Sequence, residues 1–167
     1  MQVYRKVMNM KEPLVWRDEG AVDQHLIVEF AKHADVVFPE AYITLISKHD
    51  YLYPEENIFD FTNYYGEKDE RDIVFLGYKN QIGYEAIYSY SCIDDDYSYG
   101  KKVIAFGLCA NGDYICFDYR KARENPSIVV MYHDDFYEDE NGDTKMVIND
   151  VADNFDDFLA MLREASD

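Results

Sequence analysis

Ile104-Ala105-Phe106-Gly107-Leu108-Cys109-Ala110-Asn111-Gly112-Asp113-Tyr114-Ile115-Cys116-Phe117-Asp118-Tyr119 is the stretch from which the fold is read. Two apolar runs flank Asn111-Gly112, and Asn-Gly supplies the positive φ angles of a two-residue type I′ hairpin turn. With those two residues at the tip, Leu108 opposes Ile115, Phe106 opposes Phe117 and Ile104 opposes Tyr119. One face of the predicted hairpin is then entirely large and apolar. The other carries Ala105, Gly107, Cys109, Tyr114, Cys116 and Asp118, which are smaller or more polar. A slip of one residue mismatches the two faces, so the pattern specifies a register. That register makes Cys109 and Cys116 diagonal neighbours about 7–8 Å apart, too far for an easy disulfide.

Toward the C-terminus, Ile128 to Tyr132 is an unbroken apolar run and reads as a strand buried on both faces. An acidic loop follows, then a short strand at Met146 to Ile148. Phe155, Phe158, Leu159 and Leu162 next fall at the spacing of one helical stripe. Asn154 is a good N-cap for that helix, and Asp157 three residues on completes a variant of the capping box. Asp156 and Asp157 also suit the positive end of the helix dipole.

Toward the N-terminus, Ile58 to Phe61 and Ile73 to Leu76 read as short strands around a polar segment that contains Gly66. Tyr84 to Tyr90 is a further expected strand, ended by Asp94-Asp95-Asp96. Val22, Leu26, Ile27, Phe30, Ala31 and Ala34 mark one stripe of a helix over Ala21 to Ala34. A second helix is expected from Pro39, where a missing N–H is harmless, with Tyr42, Leu45, Ile46 and His49 on one face. Pro54 closes off further helix.

The bulk numbers frame these elements. A chain of 167 residues, 48% hydrophobic, suits one domain and can bury a sizeable core. Thirty-four acidic residues face sixteen basic ones, a net charge of −18. Free nucleic acid and anionic membrane are repelled by such a charge, whereas a basic partner is attracted. The three cysteines, Cys92, Cys109 and Cys116, form no Cys-x-x-Cys pair, which fits a reducing compartment. Residues 1 to 17 lack the continuous apolar core of a signal peptide, and no stretch is long enough to span a bilayer. The expected location is the cytoplasm.

Several of these landmarks resemble one family. Phe38-Pro39-Glu40-Ala41-Tyr42-Ile43 is similar to the Leu-Pro-x-x-Tyr segment that opens the second helix of the SUKH superfamily, in its Smi/Knr-like branch. Ile104-Ala105-Phe106-Gly107 with Asn111-Gly112-Asp113-Tyr114-Ile115-Cys116-Phe117-Asp118 resembles the family's central hairpin. Val129-Val130-Met131-Tyr132-His133-Asp134 resembles the next strand and its exit, and Asn154-Phe155-Asp156-Asp157-Phe158-Leu159 the closing helix. Phe38 stands where the family usually has Leu, and Asn154 where it has Ser. The resemblance spans about residues 20 to 165. It implies an α+β fold, with helices packed on a strongly bent antiparallel sheet. It also implies a role in protein binding: bacterial relatives are commonly immunity proteins that neutralise toxin domains, often nucleases, and fungal relatives are regulators. The family carries no shared catalytic residues.

The residues themselves offer little enzyme chemistry. There is no Gly-x-Ser-x-Gly elbow and no glycine-rich phosphate loop. His25, His33, His49 and His133 lack zinc-ligand spacing. Asp139, Asn141 and Gly142 hint at a calcium loop, but with Gly142 at the sixth position Tyr137 and Ile148 fall where acids are required. Asp94-Asp95-Asp96 reads as a solvated turn. Paired carboxylates of the kind a glycosidase uses carry no weight in so acidic a chain. No catalytic residue, cofactor or metal is expected.

Binding has a positive signature. Between Met131 and Asp157 acids crowd the chain and Lys145 is the one Lys or Arg. Within that region Asp134, Asp135, Glu138, Asp139 and Glu140 interleave with Phe136 and Tyr137. Asp94, Asp95, Asp96, Tyr97 and Tyr99 repeat the mixture on a second expected loop. Aromatic anchors beside like charges suit contact with a basic protein. The expected partner is a basic toxin domain, such as a nuclease whose cationic groove an acidic surface would occlude. An endogenous signalling protein bound by a regulatory scaffold is the alternative. Direct contact with nucleic acid or membrane is not expected, and the chain should be a monomer or weak homodimer.

Overall fold

A computed structural model describes residues 12–80 and 86–166. Two helices come first. Helix α1, Gln24–His33, starts where the Asp23 carboxylate accepts from the His25 amide at 2.9 Å, and it buries Ile27, Phe30 and Ala31. Helix α2, Glu40–Lys48, follows Pro39 and buries Tyr42, Leu45 and Ile46. Flanking this pair, β1 (Val15–Arg17) pairs with β2 (Tyr53–Pro54).

Next, β3 (Ile58–Thr62) and β4 (Lys68–Asp72) form an antiparallel hairpin. The polar segment expected between strands is thus partly a strand itself. The main sheet is a five-stranded antiparallel meander: β5 (Val74–Phe75), β6 (Val103–Leu108), β7 (Tyr114–Asp118), β8 (Ser127–Glu138) and β9 (Thr144–Ala152), adjacent in that order. Between β5 and β6 lie a short helix α3, Ile87–Tyr90, and a single 3₁₀ turn at Gly100–Lys102. Helix α3 replaces the end of the strand expected over Tyr84 to Tyr90; Tyr84 and Glu85 lie outside the described residues. Helix α4, Phe155–Met161, closes the chain, and the Asn154 side chain caps it by accepting from the Asp157 amide at 2.8 Å. The α+β class and the antiparallel sheet expected from the sequence are both present.

The hairpin register differs from the two-residue turn. Leu108 pairs with Tyr114 and Gly107 with Ile115, then Ala105 pairs with Cys116. Residues 110–112 form a three-residue loop: the Gly112 amide donates to Cys109 O, the Cys109 amide donates to Asp113 O, and Gly112 has φ +99°. This loop type ends in a left-handed residue, so glycine serves it as well as it serves a two-residue turn. Phe106 is the extra residue of a bulge in β6, and its ring stacks on Phe117 with centroids 4.1 Å apart. The same register sets Cys116 opposite Ala105 rather than diagonal to Cys109, and all three cysteines are free and buried.

The core collects around these rings. Tyr42 on α2 and Phe155 on α4 both approach Phe117 and Phe106, with centroids 5.0 to 6.0 Å apart, so both helices pack on the same part of the sheet. Phe38, in place of leucine, tucks between Phe30 and Phe117. Each such ring contributes about 1.5–3 kcal/mol through burial.

Candidate protein-binding surface

Strand β8 divides into two halves. Ile128 to Tyr132 is buried, whereas His133 is exposed and exposure alternates from Asp134 to Glu138. The break has a clear cause. Met131 pairs with Ile148 and Phe136 with Met146, so Tyr132 to Asp135 on β8 face Val147 alone on β9. Extra residues of this kind bend a strand away from its sheet. The acidic segment read as a loop from Asp134 is therefore strand as far as Glu138. A tight turn over 139–143 follows, in which the Gly142 amide donates to Asp139 O and the Asp139 amide to Asp143 O. The Asp139 carboxylate fixes the turn by accepting from the amides of Asn141 and Asp143, each at 2.9 Å. The β3–β4 turn is built alike: Asn63 accepts from the amides of Tyr65 and Glu67, and Gly66 has φ +81°.

The second acidic segment lies against this projecting arm. The Asp95 carboxylate accepts from the Tyr97 amide at 2.8 Å, which folds 95–97 into a turn. Ser98 is buried, with its hydroxyl 3.6 Å from the Met131 sulfur. Tyr97 O accepts from the Met146 amide at 2.9 Å, and the Tyr99 hydroxyl donates to Met146 O at 2.8 Å. The Tyr99 and Tyr137 hydroxyls lie 3.0 Å apart, and burial together with that contact pushes the Tyr99 hydroxyl well above the usual tyrosine range. Outside, the rings of Tyr97 and Phe136 meet edge to face at 5.3 Å, 51% and 44% exposed.

The two sequence-predicted segments thus meet at Tyr97–Phe136 and Tyr99–Tyr137. Asp94, Asp95, Asp96, Asp134, Glu138 and Glu140 are exposed, and Asp135 and Asp139 are half-buried. Tyr99 and Tyr137 are half-buried, with their hydroxyls engaged with each other. Lys145 reaches back to Asp96 O at 3.3 Å, and Arg120 lies 5.6 Å from the centre of the Tyr99 ring, so both cations are engaged at the border.

Sequence reasoning missed Tyr64 and Tyr65. Tyr64, 61% exposed, stacks near Tyr137 at 6.4 Å, and its amide donates to the buried Asn149 side chain at 2.7 Å. The Tyr65 hydroxyl donates to Asp135 at 2.7 Å, a bond that raises its pKa. The available signal was Asn63-Tyr64-Tyr65-Gly66, a tight turn with two exposed aromatic rings.

A charged clasp fixes that turn beside β8. Asp113, buried at 1% exposure, accepts from Arg71 Nε at 2.8 Å and from the His133 amide at 2.9 Å, and its carboxylate lies 2.5 Å from His133 Nδ1. Arg71 also donates to Asp69 at 2.7 Å, and Tyr132 donates to the other Asp69 oxygen at 2.6 Å. Burial alone would raise both carboxylates, but these hydrogen bonds outweigh it and hold both below the usual range. Asp113, His133 and Asp134 bring one possible ligand atom each within 4.8 Å of one another. Asp113 is already saturated with donors there, and the Arg71 guanidinium opposes a cation.

The chain is an α+β scaffold whose polar residues fasten turns and a clasp and whose exposed rings lie beside carboxylates. The model of the SMI1 / KNR4 family (SUKH-1) matches residues 21–161, and the chain belongs to that family. No curated protein matches the chain. Among the described residues, no helix is long and apolar enough to cross a membrane.

Proposed function

We propose that this chain is a non-catalytic, cytoplasmic immunity protein that binds a basic toxin domain, such as a nuclease, and blocks it. The observation that supports this reading most directly is the meeting of the two aromatic–acidic segments at Tyr97 and Phe136. Exposed rings supply contact area, and surrounding carboxylates steer a cationic partner inward. A nuclease must expose lysine and arginine to hold phosphate, so an acidic arm laid in its groove excludes substrate. Membership of a family of immunity and regulatory domains agrees with this.

The test is capture of the partner from the native host, followed by association kinetics across salt concentrations. A basic toxin domain whose association slows by about 10-fold or more from low to high salt is the expected result. A salt-independent rate overturns electrostatic steering. An endogenous signalling protein as the captured partner favours the regulatory alternative.

A further inference from the structure

The chain solves one recognition problem repeatedly within itself. Arg71 lies 5.1 Å from the centre of the Tyr132 ring while its N–H groups bond Asp113 and Asp69. Arg120 lies near Tyr99 and grips both oxygens of Asp118, each at 2.9 Å. In both cases the guanidinium carbon lies over an aromatic ring while the N–H groups donate to carboxylates. Arginine can satisfy both at once because its charge is planar and its donors are fixed in a fork.

The outer arm presents the same two components. From Asp134 to Glu138 exposure alternates, so Asp134, Phe136 and Glu138 are exposed while Asp135 and Tyr137 between them are half-buried. Tyr97 stands edge to face against the Phe136 ring, and Asp96, which precedes Tyr97 in the chain, is exposed. Among the described residues none places a cation over Tyr97 or Phe136. Half-exposed rings and exposed carboxylates in a chain of net charge −18 call for a cation of matching shape from outside.

We propose that Phe136, Tyr97, Asp134 and Glu138 form a subsite for an arginine side chain of a basic partner protein, its guanidinium on the rings and its N–H edge on the carboxylates. This rests on the reading of the surface as partner-facing and adds a preference for arginine over lysine.

Two synthetic peptides of equal length and charge, one with arginine and one with lysine at every basic position, are titrated into the full chain at low salt. Binding is followed through amide and aromatic-ring NMR signals. The arginine peptide is expected to bind about fivefold more tightly and to shift the ring signals of Tyr97 and Phe136. The double variant Tyr97→Leu, Phe136→Leu should abolish that preference while keeping salt-sensitive binding of both peptides. The pair Asp134→Asn, Glu138→Gln provides an independent check should the first variant fold poorly, and should likewise narrow the preference. Equal affinity of the two peptides, or a preference that survives both variants, overturns the arginine subsite. If both peptides bind equally and with salt dependence, the acidic docking surface stands without it. If neither binds, both readings fail.

Discussion

The peptide N–H of Met146 donates to the carbonyl oxygen of Tyr97 at 2.9 Å, so the segment carrying Tyr97 is fastened to β9 by its backbone and not by its ring. The Tyr97 side chain is left half-exposed beside Phe136.

Truncating either ring should therefore affect binding far more than folding. Tyr97→Ala and Phe136→Ala are each expected to stay within about 1 kcal/mol of wild-type stability in urea unfolding. Each should weaken partner binding by about 10-fold or more, as a central aromatic anchor does. Isothermal titration alongside the unfolding curves checks both halves.

Tyr42 and Tyr78 make a different kind of contact, with hydroxyls 2.6 Å apart and both rings fully buried. Tyr42→Phe should strand one hydroxyl and cost about 1–3 kcal/mol, and so should Tyr78→Phe. The double variant removes both polar groups together, so its cost should fall below the sum of the single costs. Chemical denaturation of the four proteins completes the cycle.

The clasp at Asp113 predicts an acid-side pH dependence. Its pKa is depressed in the folded state, so the unfolded chain binds the proton more readily. Its contribution is complete above about pH 4 and is lost as pH falls through the lower folded value. Asp113→Asn should cost about 3 kcal/mol at neutral pH by leaving Arg71 and His133 poorly paired. The gap between variant and wild type should then narrow below pH 4. Buried Asp50, whose pKa is raised chiefly by burial, has the opposite sign, and comparing the two proteins at each pH cancels it. Thermal melts from pH 3 to 7 measure the gap.

The turn glycines should differ in tolerance. At Gly142 an added Cβ meets nothing closer than Glu138 Oε1 at 3.5 Å, leaving only the strain of φ +82°, about 1 kcal/mol. At Gly112 the φ is +99° and an added Cβ would meet the His133 ring at 3.3 Å. Gly112→Ala should thus be the more damaging by about 1 kcal/mol or more. Paired unfolding curves decide it.

Some of this was legible in the sequence because local chemistry dictated it. The stripe of Phe155, Phe158 and Leu159 with its Asn154 cap needed no partner to be recognised, and Asn111-Gly112 marked a real turn. The register did not follow, because both a two-residue and a three-residue loop accept glycine at that site. Strand β4, Lys-Asp-Glu-Arg-Asp, has no apolar alternation; it is a strand because β3 pairs with it and Arg71 and Asp69 enter the clasp. Asn141-Gly142 carried the same signal as Asn111-Gly112, yet the acids around it directed attention to a calcium loop. The union of Tyr97 with Phe136 depends on contacts between distant parts of the chain, which no local pattern encodes.

The excursion at Tyr132 to Asp135 separates what one strand must conserve from what it can change. Inward of it, a substitution disturbs a packed interior; outward of it, the exposed side chains of Phe136 and Glu138 face solvent while Tyr137 between them still braces Tyr99. The exposed positions of the far half of β8 are thereby free to vary in chemistry while the near half keeps the molecule folded.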